Sequence, residues 1–394
     1  MKHVVIVAPF VTFPGEPGEN RFISIARRLS RFYRVSLITS QFCHSTKSQR
    51  TSIPELDGIE VVLLDEPGYR NNVGISRVIS HASFCRNLSR WLSSNSSFDL
   101  AYSAFPLIKS NLILARHLRD TGTPLIIDVQ DIWPEAIAGP LPYLSGSLGQ
   151  VFLTPLRYQA VRVLRAADAL VAVSHTYLNH ADINGLPENR KAMAFIGAER
   201  LNFVPYENFQ NICRPLRAVY LGSFAGSYDL ETLVYASKLT QNVRIELIGG
   251  GPHESYLRSL AKKINAPVMF HGSMPFKKTM ETLQGAHIAI NAIRETALQS
   301  ITNKLSDYFC TGLPILSSQQ QPEVISLLEQ GGGLTYKPGD AAGLAKLLDH
   351  LSQRPEKLLK MSRVNRALAK EKFHRETSYS VIDDLVERVL AAPN

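Results

Sequence analysis

The chain lacks the cysteine patterns that bind metals or build a disulfide framework. Its four cysteines are widely separated along 394 residues and include no Cys-x-x-Cys pair; they are Cys43, Cys85, Cys213 and Cys310. This usage predicts reduced, unpaired thiols in a cytoplasmic protein.

Long apolar runs are also absent, and none reaches the roughly 18 residues needed to span a bilayer. The apolar start, residues 1–11, continues into a Pro/Gly/Glu-rich stretch without a small-residue cleavage site. It therefore predicts a buried strand rather than a signal peptide. If the protein works at a membrane, we expect it to lie peripherally on the inner face of the cell membrane.

Neither half of the chain is dominated by charge of one sign. The net charge of +9 is shared by both halves, with no basic tail. This distribution argues against a nucleic-acid-binding module. A mildly basic surface still favours anionic substrates or anionic lipids.

What the sequence has instead is a regular alternation of short apolar runs and helical patterns. Near-continuous apolar runs are typical of parallel strands buried on both faces. The alternation therefore predicts two consecutive α/β domains, each a doubly wound, Rossmann-like parallel sheet. The predicted strands are residues 3–8, 34–39, 60–64, 100–103, 125–128, 169–173, 191–196, 218–221, 245–248, 268–271, 288–292, 314–317 and 334–336.

A stretch without periodicity around residues 202–216, rich in Pro and Asn, predicts a linker. We accordingly expect a first domain over residues 1–201 and a second over residues 217–376. The final helical segment, residues 377–394, has no strand after it, and we expect it to pack back on the first domain. Ligands of such sheets bind beyond the carboxyl ends of the strands.

Residues 302–314 carry the strongest single signal. They predict a polar cap, a short helix with Lys304 in its first turn, a glycine stop and a proline. A helix start with a lysine can hold a phosphate, because free N–H groups and the helix dipole both favour an anion. Asp307 follows one turn after Lys304 on the same face, where it can bind ribose hydroxyls. Together they indicate a nucleotide.

Other loops of the second domain follow strands in the same way. The segment around Gly222 and Ser223, and the run of three glycines that includes Gly250, would let the backbone approach a ligand or form tight turns. Neither is a GxGxxG fingerprint or a P-loop. Arg294 is a candidate for a second phosphate charge and Glu295 for sugar hydroxyls.

In the first domain, Asp131 and Trp133 follow a predicted strand, and a carboxylate with an indole at a sheet edge can hold a sugar. The alternative is a capping Asp and a packed Trp. Three further residues, Glu19, Asn20 and Arg21, open the first helix and are candidates for acceptor binding. His44 and Lys47 follow the second strand and could reach an acceptor phosphate.

At these residues the chain resembles the retaining glycosyltransferases of family 4, which have the GT-B fold of two Rossmann-like domains facing across a cleft. The similarity is to bacterial surface-polysaccharide enzymes with an Asp-x-x-Asp-[Ile/Leu]-Trp-Pro-Glu signature, present here at residues 128–135. In the second domain the ordered matches are residues 220–233, 248–252, 271–272, 303–304 and 307–314.

The resemblance implies transfer of a sugar from a nucleotide-diphosphate sugar to a lipid-linked oligosaccharide, on the path to capsule, exopolysaccharide or O-antigen. The second domain would bind the donor, with Asn303 and Lys304 at the diphosphate and Met274 beside the base. The first domain would bind the acceptor, with Asp131 near the reacting carbon. No Asp-x-Asp metal site appears, so we expect no cofactor and no metal requirement.

The sequence departs from this family in two motifs. The usual Glu-x7-Glu pair falls on Gln299 and Asp307, and the usual His of the first-domain motif is Gln130. Gln299 can therefore contact the sugar only by a neutral hydrogen bond. Three alternatives stay open: a GT-B nucleotide-sugar epimerase, a non-catalytic partner of a transferase and, without a GxGxxG motif, a nicotinamide dehydrogenase.

Overall fold

Each half of the chain builds its own parallel sheet. The structure is a computed structural model that describes residues 1–16, 20–71, 74–95, 97–134, 147–210, 215–297 and 299–392. Two units are separated in it: Met1–Ala194 with Tyr379–Asn394, and Phe195–Ser378. In the described ranges no helix is both long and apolar enough to cross a bilayer.

The first unit contains a sheet of seven parallel strands in the order β5-β2-β1-β6-β7-β8-β9. These strands form where apolar runs are buried on both faces, as the sequence predicts. A short hairpin, β3–β4, follows β2 outside this sheet. The strands are β1 His3–Val7, β2 Arg34–Ser40, β3 Phe42–Cys43, β4 Ser48–Gln49, β5 Ile59–Leu64, β6 Leu100–Phe105, β7 Leu125–Val129, β8 Ala169–Ala172 and β9 Lys191–Met193.

Helices connect these strands and cover the sheet. The helices that precede the second unit are α1 Arg21–Leu29, α2 Ile75–Ser94, α3 Ile108–Thr121, α4 Ser147–Arg165 and α5 His175–Ala181, with a 3-10 turn at Glu188–Arg190. One core cluster joins the strand residues Val4 and Ile6 to Ile25 of α1, and it also includes Ile382 and Leu385 from the end of the chain.

The second unit repeats the doubly wound order with six parallel strands, β12-β11-β10-β13-β14-β15. The order reverses between β10 and β13, which is where ligands of such sheets bind. The strands are β10 Leu216–Leu221, β11 Val243–Ile248, β12 Met269–Gly272, β13 Ile288–Asn291, β14 Ile315–Ser317 and β15 Gly333–Thr335.

The remaining helices belong to the second unit, except for the last one, which packs on the first. They are α6 Glu207–Gln210, α7 Leu230–Leu239, α8 Glu254–Ile264, α9 Phe276–Gln284, α10 Asn303–Thr311, α11 Pro322–Leu327, α12 Ala341–Ser352, α13 Pro355–Leu368, α14 Arg375–Ser378 and α15 Ser380–Ala391. Two π-helical turns follow α11 and α13, at Leu328–Gly332 and Ala369–Phe373.

The segment predicted as a linker, residues 202–216, packs within the second unit over its described part. The amides of Asn202 and Val204 donate to the carbonyls of Cys310 and Thr311 at the end of α10, at 3.0 and 2.9 Å. The first unit ends at Ala194, earlier than the expected boundary at 201. Residues just after Ala194 already pack in the second unit: Phe195 stacks on Phe373, and the Ala198 amide donates to the Phe373 carbonyl at 2.9 Å.

Candidate functional site

Helix α10 begins at the carboxyl edge of the second sheet, between the parallel strands β13 and β14. Thr302 is its N-cap, and its hydroxyl accepts a hydrogen bond from the amide of Leu305 at 3.3 Å. Gly312 ends the helix with a left-handed φ of 67°, and Pro314 follows. The predicted cap and glycine stop are thus confirmed. They place Lys304 in the first turn, where the dipole favours an anion.

Lys304 is a buried cation, with 6% of its surface exposed. Its Nζ donates to Tyr220 Oη at 2.9 Å and lies 3.4 Å from the ring centroid of Tyr228. In the described ranges no carboxylate forms an ion pair with this ammonium. Burial lowers the pKa of Lys304 well below its ordinary value, because the charge is removed from water. An anion bound here would offset that cost.

Two glycine loops approach Lys304 closely. Gly222 has a φ of +136°, and a Cβ at this residue would lie 2.9 Å from Lys304 Cε. A Cβ at Gly249, whose φ is +133°, would lie 1.9 Å from the carbonyl oxygen of Gly222. Tyr220 Oη donates to the carbonyl of Ser223 at 2.8 Å, which fixes the first loop. The backbone can come this close to Lys304 because glycine has no side chain.

Tyr308, on α10, braces the point where the strand order reverses. Its hydroxyl accepts from the amide of Leu221 at 2.7 Å and donates to the carbonyl of Ile290 at 3.2 Å. It thus bridges the ends of β10 and β13. The tyrosines at positions 220, 228 and 308 were not predicted as site residues, although two of them flank the glycine loop in the sequence.

The other predicted donor residues of α10 and the loops lie around this edge. Asn303 is exposed at the first position of α10, and Asp307 is half-buried one turn later. The carbonyl of Gly250 accepts from the Phe224 amide at 2.8 Å. Met274 is half-buried, and its Sδ accepts from Thr282 on α9 at 3.7 Å. Their ligand contacts stay predictions.

We expected Arg294 to supply a second positive charge for the phosphates, but it already has an acidic partner. Its guanidinium forms an ion pair with Glu231 of α7 at 2.6 Å, so its charge is already matched within the unit. Glu295, beside it, is exposed. Gln299 is half-buried, and its backbone carbonyl accepts from Gln319 Nε2 at 2.5 Å. Burial raises the pKa of Tyr228, whose ring faces Lys304.

In the first unit, Asp131 lies just beyond the carboxyl end of β7. Its Oδ1 accepts from the amide of Ile132 at 2.9 Å, and burial raises its pKa to about 6. Trp133 is half-buried and precedes a cis-Pro134. Glu135, the last residue of the predicted signature, lies outside the described residues.

The residues predicted to bind the acceptor at the start of α1 have internal partners. Asn20 is the N-cap of α1 and accepts from Phe22 N at 2.8 Å. Arg21 is buried, and its Nε donates to Asp128 at 2.9 Å. This corrects the expectation that Arg21 faces a ligand, because its charge is matched inside the core. Glu19 lies outside the described residues.

Family models match both units. Residues 18–193 match the model described as a glycosyl transferase 4-like domain, and residues 216–354 match glycosyl transferases group 1. The chain is a glycosyltransferase of the GT-B type. No curated protein sequence matches it. Within the described ranges of this glycosyltransferase, no three His, Cys, Asp or Glu side chains are grouped as metal ligands.

Solved structures show the same fold at low identity. HepE from Anabaena, determined in complex with UDP, has a TM-score of 0.70 at 14% identity, over 98% of this glycosyltransferase and 100% of HepE. Sucrose-phosphate synthase from Thermosynechococcus elongatus gives 0.73 at 14%, over 100% of both chains. WaaG, a glycosyltransferase involved in lipopolysaccharide biosynthesis, gives 0.64 at 13%, over 97% of this chain and 99% of WaaG.

Proposed function

We propose that this enzyme transfers a sugar from a nucleotide-diphosphate sugar to a lipid-linked saccharide, in the synthesis of a bacterial capsule, exopolysaccharide or O-antigen. The observation that carries the proposal is Lys304, a buried ammonium without a carboxylate partner in the described ranges. Charge develops on the diphosphate as the glycosidic bond breaks. A fixed cation in a site without water stabilises that charge most effectively.

The second unit binds the donor in this proposal. Lys304 and the amides at the start of α10 hold the diphosphate, and the loops at Gly222, Ser223 and Gly250 supply backbone contacts. HepE, with the same fold, binds UDP in one structure and UDP-glucose in another, which supports a nucleotide-sugar donor. The other donor contacts are Asn303 at the phosphates, Asp307 at the ribose, Met274 at the base, and Glu295 and Gln299 toward the sugar.

The reaction that we propose proceeds with retention, as the family resemblance implies. The bond between the anomeric carbon and the phosphate oxygen breaks, and the acceptor oxygen bonds to the same face of that carbon. The acceptor proton passes to the leaving phosphate, so no separate protein base is needed. Asp131 of the first unit stabilises positive charge at the reacting carbon. Lys304 takes the part that a metal ion plays in other transferases.

The first unit binds the acceptor in this proposal, with Trp133 against its saccharide and the protein at the inner face of the cell membrane. Support comes from the resemblance to surface-polysaccharide enzymes and from WaaG, which shares the fold and is involved in lipopolysaccharide biosynthesis. A lipid-linked acceptor is itself held at a membrane.

A thermal-shift screen over nucleotide-sugars tests the donor assignment. We expect at least one nucleotide-sugar to stabilise the wild type and to stabilise Lys304→Met far less. Lys262→Met, which removes an exposed lysine of α8, is the matched control and should respond as the wild type does. Equal stabilisation of the wild type and Lys304→Met would show that Lys304 does not hold the phosphates.

Product analysis with the stabilising donor separates the alternatives. We expect transfer to a saccharide acceptor with the donor's anomeric configuration, read by NMR of the product. Release of an epimerised nucleotide-sugar would favour an epimerase. Absence of both transfer and donor hydrolysis, together with stable binding to another transferase, would favour a non-catalytic partner.

A further inference from the structure

Five arginines line one cavity of the first unit. The cavity has a volume of about 690 Å³ and is bounded by the ends of α3 and α4, the turn before β9 and the end of α15. We call it the arginine cavity, and its basic residues are Arg116, Arg119, Arg162, Arg165 and Arg190. The residues assigned above to the donor and the acceptor are not among the described residues that line it.

The order of the chain places this cavity at the amino edge of the first sheet. Helix α3 ends before β7, α4 ends before β8, and the turn Glu188–Arg190 leads into β9. These three strands are parallel, so their first residues lie at one edge. Asp131 follows the other end of β7, and the five residues of that strand span about 16 Å. A ligand in the arginine cavity therefore binds away from the carboxyl edge.

The acidic groups near the cavity are held by other partners. Of the described residues that line it, one is acidic: Asp168, whose Oδ2 accepts from the Leu125 amide at 2.8 Å. Glu188, in the turn before β9, pairs with Lys191 at 2.7 Å. Within the described ranges, none of the five arginines forms an ion pair.

The arginine cavity stays positive even when every negative group that lines it is counted in full. Asp168 cancels one of the five charges, and the carboxyl ends of α3, α4 and α15 each carry roughly half a negative charge. An excess of roughly two to three positive charges remains. Like charges around one recess repel each other, and a polyanion relieves that repulsion. The excess fits a ligand with two or more phosphate groups better than a monoanion.

The lining indicates which kind of polyanion fits. All five basic residues are arginines, whose planar guanidinium can donate two parallel hydrogen bonds to one phosphate. Leu112, Leu118 and Val389 add apolar surface beside them. The volume lies within the range typical of small-molecule sites, roughly 300–1,000 Å³. This combination favours an organic phosphate over a bare inorganic ion.

The last helix of the chain completes the cavity. Val389 of α15 and Ala392 just after it belong to the lining, and Arg388 Nε donates to the carbonyl of Asn189 at 3.1 Å. That contact ties α15 to the turn that carries Arg190. A ligand that binds only the assembled cavity stabilises the state in which α15 is packed on the first sheet.

We propose that the arginine cavity binds a small organic molecule with two or more phosphate groups, and that this ligand holds α15 on the first unit. The arginines donate to the phosphates, and the apolar lining contacts the organic part. Because the cavity shares no residue with the donor or acceptor sites, its ligand goes beyond the proposed function, and loss of sugar transfer would leave this site unaffected.

Calorimetry with ATP on the full chain tests the proposal. ATP supplies three phosphates and an organic part, and EDTA keeps its charge free of Mg²⁺. The Lys304→Met background weakens the phosphate site that we propose in the second unit. We expect Arg119→Gln with Arg165→Gln to weaken ATP binding at least about tenfold, because charge-assisted hydrogen bonds from two helices are lost. Arg116→Gln with Arg162→Gln should give a similar loss.

The matched control is Arg86→Gln with Arg90→Gln. Both arginines are exposed on α2 of the same unit, and neither lines the cavity. The change in net charge equals that of each cavity pair, so we expect the control to bind ATP as its parent does. Unchanged binding by both cavity pairs, or an equal loss in the control, would overturn the proposal.

Thermal unfolding without ligand checks that the variants are folded. The four arginines of the two cavity pairs are exposed, so we expect melting temperatures equal to that of the parent. If one pair is destabilised, the other pair decides the outcome.

Hydrogen exchange tests the link to the last helix. We expect ATP to slow amide exchange in α15 of the parent and to leave it unchanged in the cavity variants. If ATP binds through the arginines and exchange in α15 does not change, the proposed effect on this helix is wrong.

Two further probes identify the class of the anion. Inorganic tripolyphosphate lacks the organic part and should bind more weakly than ATP; equal or tighter binding would contradict the apolar contact. Vesicles of phosphatidylcholine and phosphatidylglycerol present lipid phosphates on a surface, and we expect the cavity variants to bind them as the parent does. A loss seen with vesicles and not with ATP would make the arginines a membrane contact and overturn the proposal.

Discussion

The two units each bury a cation in the first turn of a helix, and the two cations have opposite surroundings. Arg21 is 3% exposed and pairs with Asp128, which also accepts from Tyr102 Oη at 2.5 Å. Lys304 is 6% exposed, and its partners are a tyrosine hydroxyl and two aromatic rings. One charge is neutralised within the fold, whereas the other has no counter-ion in the described ranges.

This difference indicates a structural role for Arg21 and supports the proposed ligand-binding role of Lys304. Burial alone would lower the pKa of Arg21, but the charge of Asp128 outweighs it and the pKa is raised. The pKa of Lys304 is lowered, because burial acts without a compensating carboxylate. The two cations are alike in their burial and in their place in the first turn of a helix. They differ in that only Arg21 has an acidic partner in the described ranges, so Lys304 is the cation available to a ligand.

The largest expected effect is on stability, at the paired cation. Arg21→Met leaves Asp128 buried without its counter-ion and should lower the free energy of unfolding by about 3–5 kcal/mol. Urea denaturation of the full chain measures it. Arg21→Met with Asp128→Leu removes both charges and should recover most of the loss. If Arg21→Met alone were as stable as the wild type, the structural role of Arg21 would be contradicted.

The unpaired cation should behave in the opposite way. Lys304→Met removes a charge that burial disfavours, so we expect its free energy of unfolding to equal or exceed that of the wild type. Its kcat/KM for donor should fall by about 10²–10³-fold, because the developing diphosphate charge loses its stabilising partner. Steady-state kinetics and urea denaturation on the same preparation compare both quantities. Destabilisation as large as that of Arg21→Met would remove the distinction between the two sites.

A smaller effect is expected at Asp131, the half-buried acid just beyond β7. Its folded pKa of about 6 lies above the ordinary value of 3.8, so the folded state holds this proton more tightly. The corresponding stability is present at low pH and is lost as the pH rises from about 4 through about 6. Asp131→Asn should therefore gain up to about 3 kcal/mol at neutral pH and little near pH 4.

Urea denaturation at the two pH values tests this pH dependence. Because Asp131 is proposed to act at the reacting carbon, the same variant should lose activity at neutral pH. A variant that gains no stability at neutral pH would show that the carboxyl is well solvated.

The smallest expected effect is that of a chelator. If Lys304 takes the electrostatic part of a metal, as we propose, EDTA should leave kcat/KM unchanged in wild-type enzyme, in contrast to the loss in Lys304→Met. Activity measured before and after chelation, with Mg²⁺ added back, is sufficient. A loss restored by Mg²⁺ would show that the lysine does not act alone.

The sequence predicted the sheets well because a buried parallel strand can be recognised from its own apolar run, whichever strands lie beside it. All thirteen predicted strands are present, with no end shifted by more than three residues. The β3–β4 hairpin was missed because its strands are two residues long.

The candidate site was predicted only where the signal was local. The cap, the lysine and the glycine stop of α10 lie within about a dozen residues and follow from helix chemistry. The partners of the charges do not, because Arg21 and Asp128 are 107 positions apart and Lys304 and Tyr220 are 84 apart. For the same reason, the pairing of Arg294 with Glu231 was not foreseen.

The return of the chain to the first unit has a consequence for synthesis. Tyr379, Ile382 and Leu385 belong to the core of the first unit, and they follow the whole of the second unit in the sequence. On the ribosome, the second unit is therefore complete before the first has all of its core. A nascent chain exposes the apolar surface that α15 will cover until that helix emerges. We infer that the second unit, although made later, is the first able to fold completely.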